Sequence, residues 1–480
     1  MHSIAELGGD LLLVGHALVG RQDLPLPEWL FIYGAVMVLI VSFVGIAIAW
    51  RRTLFAQQPW RPLPSWVSAA LLNPVVEAVC GALGVFLLGL VVWSGLEGTE
   101  APDRNFSIVF VFVTVWLGFV ILSVLFGDLF RAFNPWRAIA RAAGGMFRLV
   151  AGQSPPPALR YPERFGRWPA AVGVGAFVWL ELVYGQSGFQ AVGLTPHTVA
   201  VATLAYSAYT FVAMALFGSE KWLERGEAFS VYFSMFASLA PLEVRERRLG
   251  RRRPLSGASA WVGAIPGSLA LILVTIGATT YDGATEGVLA TPIQSVNDWL
   301  ADAGLGPLAV LRISGSLFFA AVIGFVAAVF WAGISGMHTV SAAADERRDE
   351  LTTGRLAQRF AHAFIPIALA YLLAHYFSLV VFQEQAQFGY LLSDPLGDGS
   401  DIFGTAANGI DYGTLSANAI WYVQVGALLV GHMVALGLGH DRALEVYGDS
   451  KLATRSQYWM LAMMISFTAL GLALLSQANQ

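Results

Sequence analysis

The residues of this sequence that could do chemistry are ionisable or amide side chains set inside long apolar stretches. Glu181 lies in "FVWLELVYG", His375 in "LAHYFSLVVFQ" and His432 in "VGALLVGHMVAL". Arg312 and Gln424 have similarly apolar neighbours. Charged groups are costly in apolar surroundings, so such residues typically mark a path for ions, protons or substrate, and an imidazole there can relay protons or ligate a metal. These five residues are candidates for a pathway through the protein.

A second set of polar residues lies where apolar stretches end: His338, His362, His440 and Asp441. Neutral imidazoles together with a carboxylate suit zinc, copper or iron. If these ends are neighbours in space, they would form a divalent-metal site, with Asp128 or Glu227 as the general base for a metal-bound water. The alternative is that these residues only mark the exits of helices from an apolar phase, where polar side chains gather in any case.

The elements that carry these residues are predicted to be membrane-spanning helices. Hydrophobic residues make up 56% of the 480 positions and charged residues 12%, whereas an ordinary soluble protein is roughly 25% charged. Runs of about 20 apolar residues, long enough to cross a bilayer as a helix, recur along the chain. We predict an all-α, polytopic helical membrane bundle with ten spans near residues 30–50, 74–94, 107–127, 169–186, 198–217, 260–279, 308–334, 361–383, 419–439 and 457–476.

Charge is distributed unevenly between the loops that join these spans. Every Lys and Arg except Arg21, Arg104 and Arg312 falls in alternate loops, on one side of the predicted bundle. Basic residues in short loops stay in the cytoplasm, so this side is predicted to be cytoplasmic and both termini extracytoplasmic. The opposite side carries a tail, residues 1–29, whose apolar part is either a shortened signal sequence or a partial span. It also carries an acidic loop, residues 384–418. Within this loop, "DPLGDGSDIFG" (394–404) predicts a turn-rich cap rather than a calcium site, because its spacing does not match an EF-hand loop.

Two apolar segments on the basic side are too short to span the membrane, residues 134–150 and 227–242. In the first, Asn134 and Pro135 suit a helix N-terminus. An apolar stripe flanked by basic residues predicts an interfacial helix on anionic lipid. Its lipid-contacting residues would be Arg137, Arg141 and Arg148. We predict that the second segment lies flat on the membrane surface or re-enters the membrane.

Helix rise gives each residue within a span an approximate depth. His375 would lie ~20 Å and His432 ~12 Å from the cytoplasmic face, an offset that argues against one metal ion shared by both rings. Gln424 is the residue of its helix that is level with His375. We expect a helix–helix hydrogen bond to satisfy His432. Glu181 and Arg312, both in the outer half, are expected to form a buried ion pair, unless Arg312 reaches the interface.

Composition and motifs exclude several functional classes. The single cysteine, Cys80, allows neither an intramolecular disulfide nor a cysteine-rich metal site. No GxxxxGK sequence is present, so a P-loop nucleotide site is excluded, and HExxH, GxSxG, CxxC and GxGxxG are also absent. We expect no nucleic-acid partner. The expected partners are lipid and other membrane proteins, and any site must lie within the helical bundle or at its ends.

Distinctive segments are spread over nearly the whole chain. They include "GRQDLPLPEWLF" (20–31), "FGDLFRAFNPWRAI" (126–139), "SDPLGDGSDIFGT" (393–405) and "GHDRAL" (439–444). These segments resemble a family of actinobacterial integral membrane proteins labelled fenitrothion hydrolase. The resemblance implies a bacterial plasma-membrane protein and hydrolysis of organophosphate triesters. It assigns no catalytic residue.

Three functions are consistent with these residues. A transporter or channel would line its pathway with Glu181, Arg312, His375 and His432, which should then converge on one water-accessible cavity. A membrane-embedded, metal-assisted hydrolase would use the residues at the helix ends, and a redox subunit would place a haem between His375 and His432. Transport is the leading hypothesis, because ten spans without a soluble domain are typical of translocation.

Overall fold

The protein is an all-α helical bundle with one very small sheet. The computed structural model describes residues 28–55, 60–153, 158–186, 193–285, 287–342 and 351–477. The predicted tail, residues 1–29, lies outside the described residues except for its last two, which begin the first helix.

In chain order the elements are α1 (Glu28–Ala49), β1 (Arg61–Pro62), α2 (Ser65–Leu71), α3 (Pro74–Glu97), α4 (Phe106–Phe126), α5 (Phe130–Phe133), α6 (Pro135–Ala151), α7 (Trp168–Trp179), α8 (Pro196–Phe217), α9 (Ser219–Arg225), α10 (Ala228–Ala237), β2 (Leu242–Arg245), β3 (Arg248–Arg251), α11 (Ala258–Val262), α12 (Ser268–Thr285), α13 (Ala290–Asp302), α14 (Pro307–Ala342), α15 (Thr353–Phe360), α16 (Ile365–Ala386), α17 (Ala417–Tyr447) and α18 (Ser450–Gln477). In the part of the chain that the structure describes, three stretches are π-helical: Phe110–Gly118 inside α4, Leu180–Tyr184 after α7 and Gln387–Leu391 after α16. Short 3-10 turns cover Pro102–Arg104, Glu163–Phe165 and Ala361–Phe364.

Within the described residues, eight helices are long and apolar enough to cross a membrane: α1, α3, α4, α8, α14, α16, α17 and α18. Each coincides with a predicted span, and together they indicate a multi-pass membrane protein. The other two predicted spans also contain helices, but α7 has only 12 residues before its π-helical extension. The span predicted at 260–279 is displaced: Gly263 and Gly267 adopt positive φ and separate α11 from α12. The count of ten spans stays a prediction.

The predicted surface segment 227–242 contains α10, which is instead buried inside the bundle. Val231, Tyr232, Phe233 and Phe236 have no exposed surface, and α10 packs against α4 and α7. A helix that is apolar on all sides is buried rather than laid on a surface. The prediction that this segment lies flat on the membrane surface is therefore wrong, whereas the alternative, re-entry into the membrane, stays a prediction.

The first surface segment does form an amphipathic helix, α6. The Asn134 side chain accepts a hydrogen bond from the Arg137 backbone amide at 2.8 Å, and Pro135 is the first helical residue, as predicted. Leu149 and Val150, near the other end of α6, are 82% and 79% exposed. This apolar face is open for lipid contact, which stays a prediction.

Loops of like charge lie together at the two ends of the bundle. At one end, Arg253 donates a hydrogen bond to the Leu54 carbonyl, although these residues are far apart in sequence. At the other end, the Thr99 amide donates to the Leu396 carbonyl. We call these the basic end and the acidic end. A three-stranded antiparallel sheet in the order β1-β3-β2, which the sequence did not predict, joins two of the basic loops.

Candidate functional site

A group of ionisable side chains joins α12 to α16 inside the bundle. Two neighbouring residues of α16 bind Asp282 of α12: His375 Nε2 lies 2.8 Å from Asp282 Oδ2, and the Tyr376 hydroxyl donates to the same oxygen at 2.7 Å. The rings of His375 and Tyr376 meet edge to face, with centroids 4.6 Å apart. The Asp282 side chain is only 11% exposed. A carboxylate, an imidazole and a phenol are therefore in contact within one poorly hydrated region.

Glu181 adds a second carboxylate. It lies on the π-helical stretch after α7, within electrostatic range of Asp282 and of Tyr376. Its surroundings also include Tyr232, whose ring stacks on that of Trp116 with centroids 4.1 Å apart. We call Glu181, Asp282, His375 and Tyr376 the Asp282 cluster.

Two other polar residues lie beside π-helical stretches. Thr114, in the π-helical part of α4, donates a hydrogen bond to Glu384 at 3.1 Å, and Glu384 belongs to α16. A π-bulge inserts an extra residue into a helix and is frequent at functional sites.

The predicted acidic loop, residues 384–418, is wrong at its start, because the helix continues through a π-helical turn to Leu391.

The predicted ion pair between Glu181 and Arg312 does not form. The Arg312 guanidinium instead stacks on the ring of Tyr184, with its central carbon 4.2 Å from the ring centroid. Arg312 Nε is buried and has no hydrogen-bond partner among the described residues. An aromatic face attracts a guanidinium without supplying an opposite charge, so Glu181 interacts electrostatically with Asp282 rather than with Arg312.

His432 and Gln424 are both buried on α17, with 0% and 5% exposure. His432 Nδ1 lies 2.8 Å from the Leu428 carbonyl oxygen of its own helix. Its Nε2 has no hydrogen-bond partner within the part of the chain described. The expected helix–helix hydrogen bond is therefore wrong, because the one hydrogen bond of this ring among the described residues is made within its own helix. The rings of His375 and His432 have different hydrogen-bond partners. The haem placed between them stays a prediction.

His440 and Asp441 attach the segment after α1 to α17. Asp441 accepts hydrogen bonds from Trp50 Nε1 at 3.2 Å, from the Phe55 amide at 3.0 Å and from the Leu54 amide. His440 Nε2 lies 3.0 Å from the Trp50 carbonyl oxygen. Both side chains are buried. We call this arrangement the Asp441 clamp, because it holds two remote segments together at the basic end.

The predicted metal site does not assemble. Among the described residues, no group of three or more His, Cys, Asp or Glu side chains is placed to hold a metal ion. His440 and Asp441 bind the segment after α1, and His362 Nδ1 lies 2.9 Å from the Arg359 carbonyl oxygen. His338 lies near the end of α14, partly exposed. Residues that lie at the same end of a bundle can still be too far apart to bind one ion, because each metal–ligand distance must be ~2 Å.

The arginines of α6 interact mostly with the protein itself. The Arg137 side chain is 7% exposed and pairs with Glu77 at 2.7 Å and with Glu220 at 3.1 Å. Arg141, which is half-exposed, pairs with the same two carboxylates. Arg148 is exposed, and its Nε donates a hydrogen bond to the Gly144 carbonyl oxygen of the same helix. The lipid-contacting role predicted for Arg137 is therefore wrong, because the N-terminal turn of α6 docks against α3 and α9.

The two candidate general bases have different surroundings. Glu227 is buried, and it caps α10 by accepting the amides of Phe229 at 3.0 Å and Ser230 at 2.7 Å. Asp128 is exposed in the turn after α4. Since the metal site does not assemble, neither residue is assigned the role of a base.

A cavity of about 800 Å³ lies between α7 and α8, and its lining is almost wholly apolar. Glu181, Arg312, His375 and His432 do not line it. The convergence expected of a transport pathway is therefore met only in part: Glu181 and His375 meet at Asp282, whereas Arg312 and His432 lie elsewhere.

Asp282 and Tyr376 were missed by the sequence reasoning. Asp282 lies three residues beyond the predicted end of a span at residue 279, and was therefore placed in a loop. The sequence signal was the lack of any Gly or Pro between residue 279 and Asp282. The helix does continue without interruption from Ser268 to Thr285. Tyr376 has no sequence signal of its own, because a tyrosine in an apolar helix is ordinary.

Comparison of this chain with protein-family models, with curated proteins and with solved structures finds no match. Its function must therefore be inferred from the chemistry of its own residues, above all the Asp282 cluster.

Proposed function

We propose that this chain is a transporter of the bacterial plasma membrane that couples movement of a solute to protonation of the Asp282 cluster. The observation that carries the proposal is the placement of two carboxylates, Glu181 and Asp282, within electrostatic range of each other and beside His375. Ionisable groups inside a membrane bundle are costly and are retained where protons or ions move.

Electrostatics supports a role for the Asp282 cluster in which the number of bound protons changes. Two carboxylate charges in a poorly hydrated place repel each other, so a bound proton lowers the energy of the cluster. The His375 imidazole adds a third titratable group beside the two carboxylates. Tyr376 supplies a hydrogen-bond donor to the same Asp282 oxygen. The cluster can therefore hold a variable number of protons.

Protonation also bears on how α12 and α16 are held together. The contact between these helices includes the hydrogen bonds from His375 and Tyr376 to Asp282. A neutral carboxyl group accepts hydrogen bonds more weakly than a carboxylate, so a proton on Asp282 loosens this contact. A solute that binds one helix arrangement better than another shifts the equilibrium between them, and the two effects together give coupled transport.

The test uses inverted membrane vesicles from cells that express the full chain. Respiration acidifies the vesicles, and a quenched acridine dye reports the pH gradient while organic cations, organic anions and neutral amphiphiles are added one at a time. We expect at least one solute to change the gradient with the wild-type protein, and Asp282→Asn to abolish the change because Asn cannot carry a proton.

The matched control is Asp398→Asn, which removes a carboxylate from an exposed loop at the acidic end. It should respond as wild type does. A panel in which no solute distinguishes the wild-type protein from Asp282→Asn, with both present in equal amounts, would contradict the proposal.

The sidedness belongs to the same proposal: the basic end faces the cytoplasm, and both termini face outward. A tag fused after Gln480 should react with a membrane-impermeant reagent in intact cells. Labelling that appears only after the membrane is permeabilised would reverse the orientation.

A further inference from the structure

The helices α7 and α8 follow each other in the chain but scarcely touch. Each packs on other neighbours: α7 on α12 and α10, and α8 on α3. The space left between them is the cavity of about 800 Å³. Its polar lining is slight, and Phe, Trp and Tyr side chains supply much of the wall, including Phe112, Trp136, Phe177, Tyr206 and Phe229. Such a surface is unsuited to a hydrated solute and suited to hydrocarbon.

The cavity is elongated along the helices. Its lining runs from Trp168 to Leu180 on the α7 side and from Val199 to Tyr209 on α8. At a rise of 1.5 Å per residue, each of these stretches is ~15 Å or slightly more in length. Because α7 and α8 run in opposite directions, the α7 stretch starts at the basic end, whereas the α8 stretch starts three residues from the opposite end of the bundle. Together they extend over more than half of a hydrocarbon thickness of ~30 Å, which is deep enough for an acyl chain.

The cavity opens sideways towards the outside of the bundle, near the basic end. Three of its lining residues are largely exposed: Val172 by 67%, Trp168 by 52% and Tyr209 by 50%. Trp168 and Val172 belong to the first turns of α7, and Tyr209 to the second half of α8. A molecule could therefore enter from the surrounding bilayer without crossing water.

Basic side chains border the same opening. The segment from residue 158 to residue 167 joins the two helix ends, since the Leu159 amide donates to the Leu216 carbonyl at 2.7 Å. Arg160 and Arg164 of this segment are exposed. The Arg164 guanidinium lies 5.7 Å from the centroid of Phe165, whose ring lines the cavity. The segment contains one acidic residue, Glu163, so its net charge is positive.

We propose that this cavity binds one acyl chain of an anionic phospholipid, whose phosphate lies at Arg160 and Arg164. The apolar cavity recognises the chain, and the two guanidinium groups recognise the phosphate, which they bind with charge-assisted hydrogen bonds. The site is distinct from the Asp282 cluster, so this proposal does not depend on whether the chain transports a solute.

The first experiment fills the cavity. Full-length protein is reconstituted in nanodiscs with equal amounts of phosphatidylglycerol and phosphatidylcholine, released into mild detergent and analysed by native mass spectrometry. We expect retained phosphatidylglycerol on the wild-type protein. Ala202→Phe, which places a ring in the cavity, should reduce the retained fraction at least tenfold. Ala205→Phe, on the exposed lipid-facing surface of the same helix and outside the lining, should leave it unchanged.

The second experiment changes charge alone, and it keeps the proposal testable if Ala202→Phe fails to fold. The double variant Arg160→Gln with Arg164→Gln should remove the preference for phosphatidylglycerol over phosphatidylcholine. Arg248→Gln, an exposed arginine of β3, is the matched control and should keep it. Equal retention in all variants, retention of both lipids alike by the wild type, or recovery of a free fatty acid in place of phospholipid would each overturn the proposal.

Discussion

The Asp282 cluster and the Asp441 clamp each join an aspartate to a histidine in the interior of the protein. In the cluster, the two hydrogen bonds to Asp282 Oδ2 come from side chains of another helix, His375 and Tyr376. In the clamp, Asp441 accepts from the Trp50 indole and from two backbone amides, and His440 meets a backbone carbonyl.

The difference between the two places is the chemistry of the partners, because the residue types are the same. Backbone amides and an indole N–H do not titrate, so the partners in the clamp are fixed hydrogen-bond donors and acceptors that hold two segments together. In the cluster, carboxylates, an imidazole and a phenol are close together, so protonation of one group changes the electrostatic energy of the others. A histidine and an aspartate in a sequence therefore indicate function only when their partners are also titratable.

The largest expected effect is on the clamp. Asp441→Ala removes three hydrogen bonds to a carboxylate, and such bonds contribute about 1.5–3 kcal/mol each. We expect a loss of about 3 kcal/mol or more in the free energy of unfolding, measured as a lower midpoint of thermal unfolding in detergent. A variant that keeps the wild-type midpoint would mean that the clamp does not stabilise the fold.

A pair of equivalent substitutions compares the two histidines directly. His375→Gln keeps a side-chain donor near Asp282 but cannot titrate, so the pH dependence of solute-driven proton movement should change while thermal stability stays nearly the same. His440→Gln should instead lower stability by about 1 kcal/mol, the contribution of one hydrogen bond, and leave the pH profile unchanged. The reverse assignment of effects would refute the distinction between cluster and clamp.

The smallest expected effect concerns a third aspartate, Asp401, which resembles Asp441 in its partners but is exposed to water. The Ser393 hydroxyl donates to Asp401 Oδ1 at 2.6 Å and the Ala406 amide at 3.0 Å. These bonds hold the pKa of Asp401 below its usual range. Its contribution to loop stability is therefore complete above the unfolded-state pKa of ~3.9 and is lost as the pH falls through the lower folded-state value.

Hydrogen exchange in residues 393–406 measures this contribution. Asp401→Asn should exchange slightly faster than wild type at pH 7, and the two should become equal in strong acid. A difference that persists or grows at low pH would contradict the sign of the shift.

The sequence was sufficient for the features that depend on local composition. Apolar runs predicted ten spans, and eight of these coincide with helices of the described residues that are long enough to cross a membrane. The segregation of Arg and Lys predicted which loops meet at one end. Asn134 and Pro135 predicted the start of α6, because a cap involves only residues within one turn. Boundaries were less secure: Asp282 was assigned to a loop, since hydropathy falls off before the helix itself ends.

Partners were decided by the tertiary structure. From the sequence alone, we predicted that Arg312 pairs with Glu181, that the segment containing α10 lies on the membrane surface or re-enters the membrane, and that Arg137 contacts lipid. The structure stacks Arg312 on Tyr184, buries α10 and pairs Arg137 with Glu77 and Glu220. The physical reason is that composition and periodicity are properties of one helix. Which side chains meet depends on how several helices are rotated and shifted against each other, and close packing among all of them determines that.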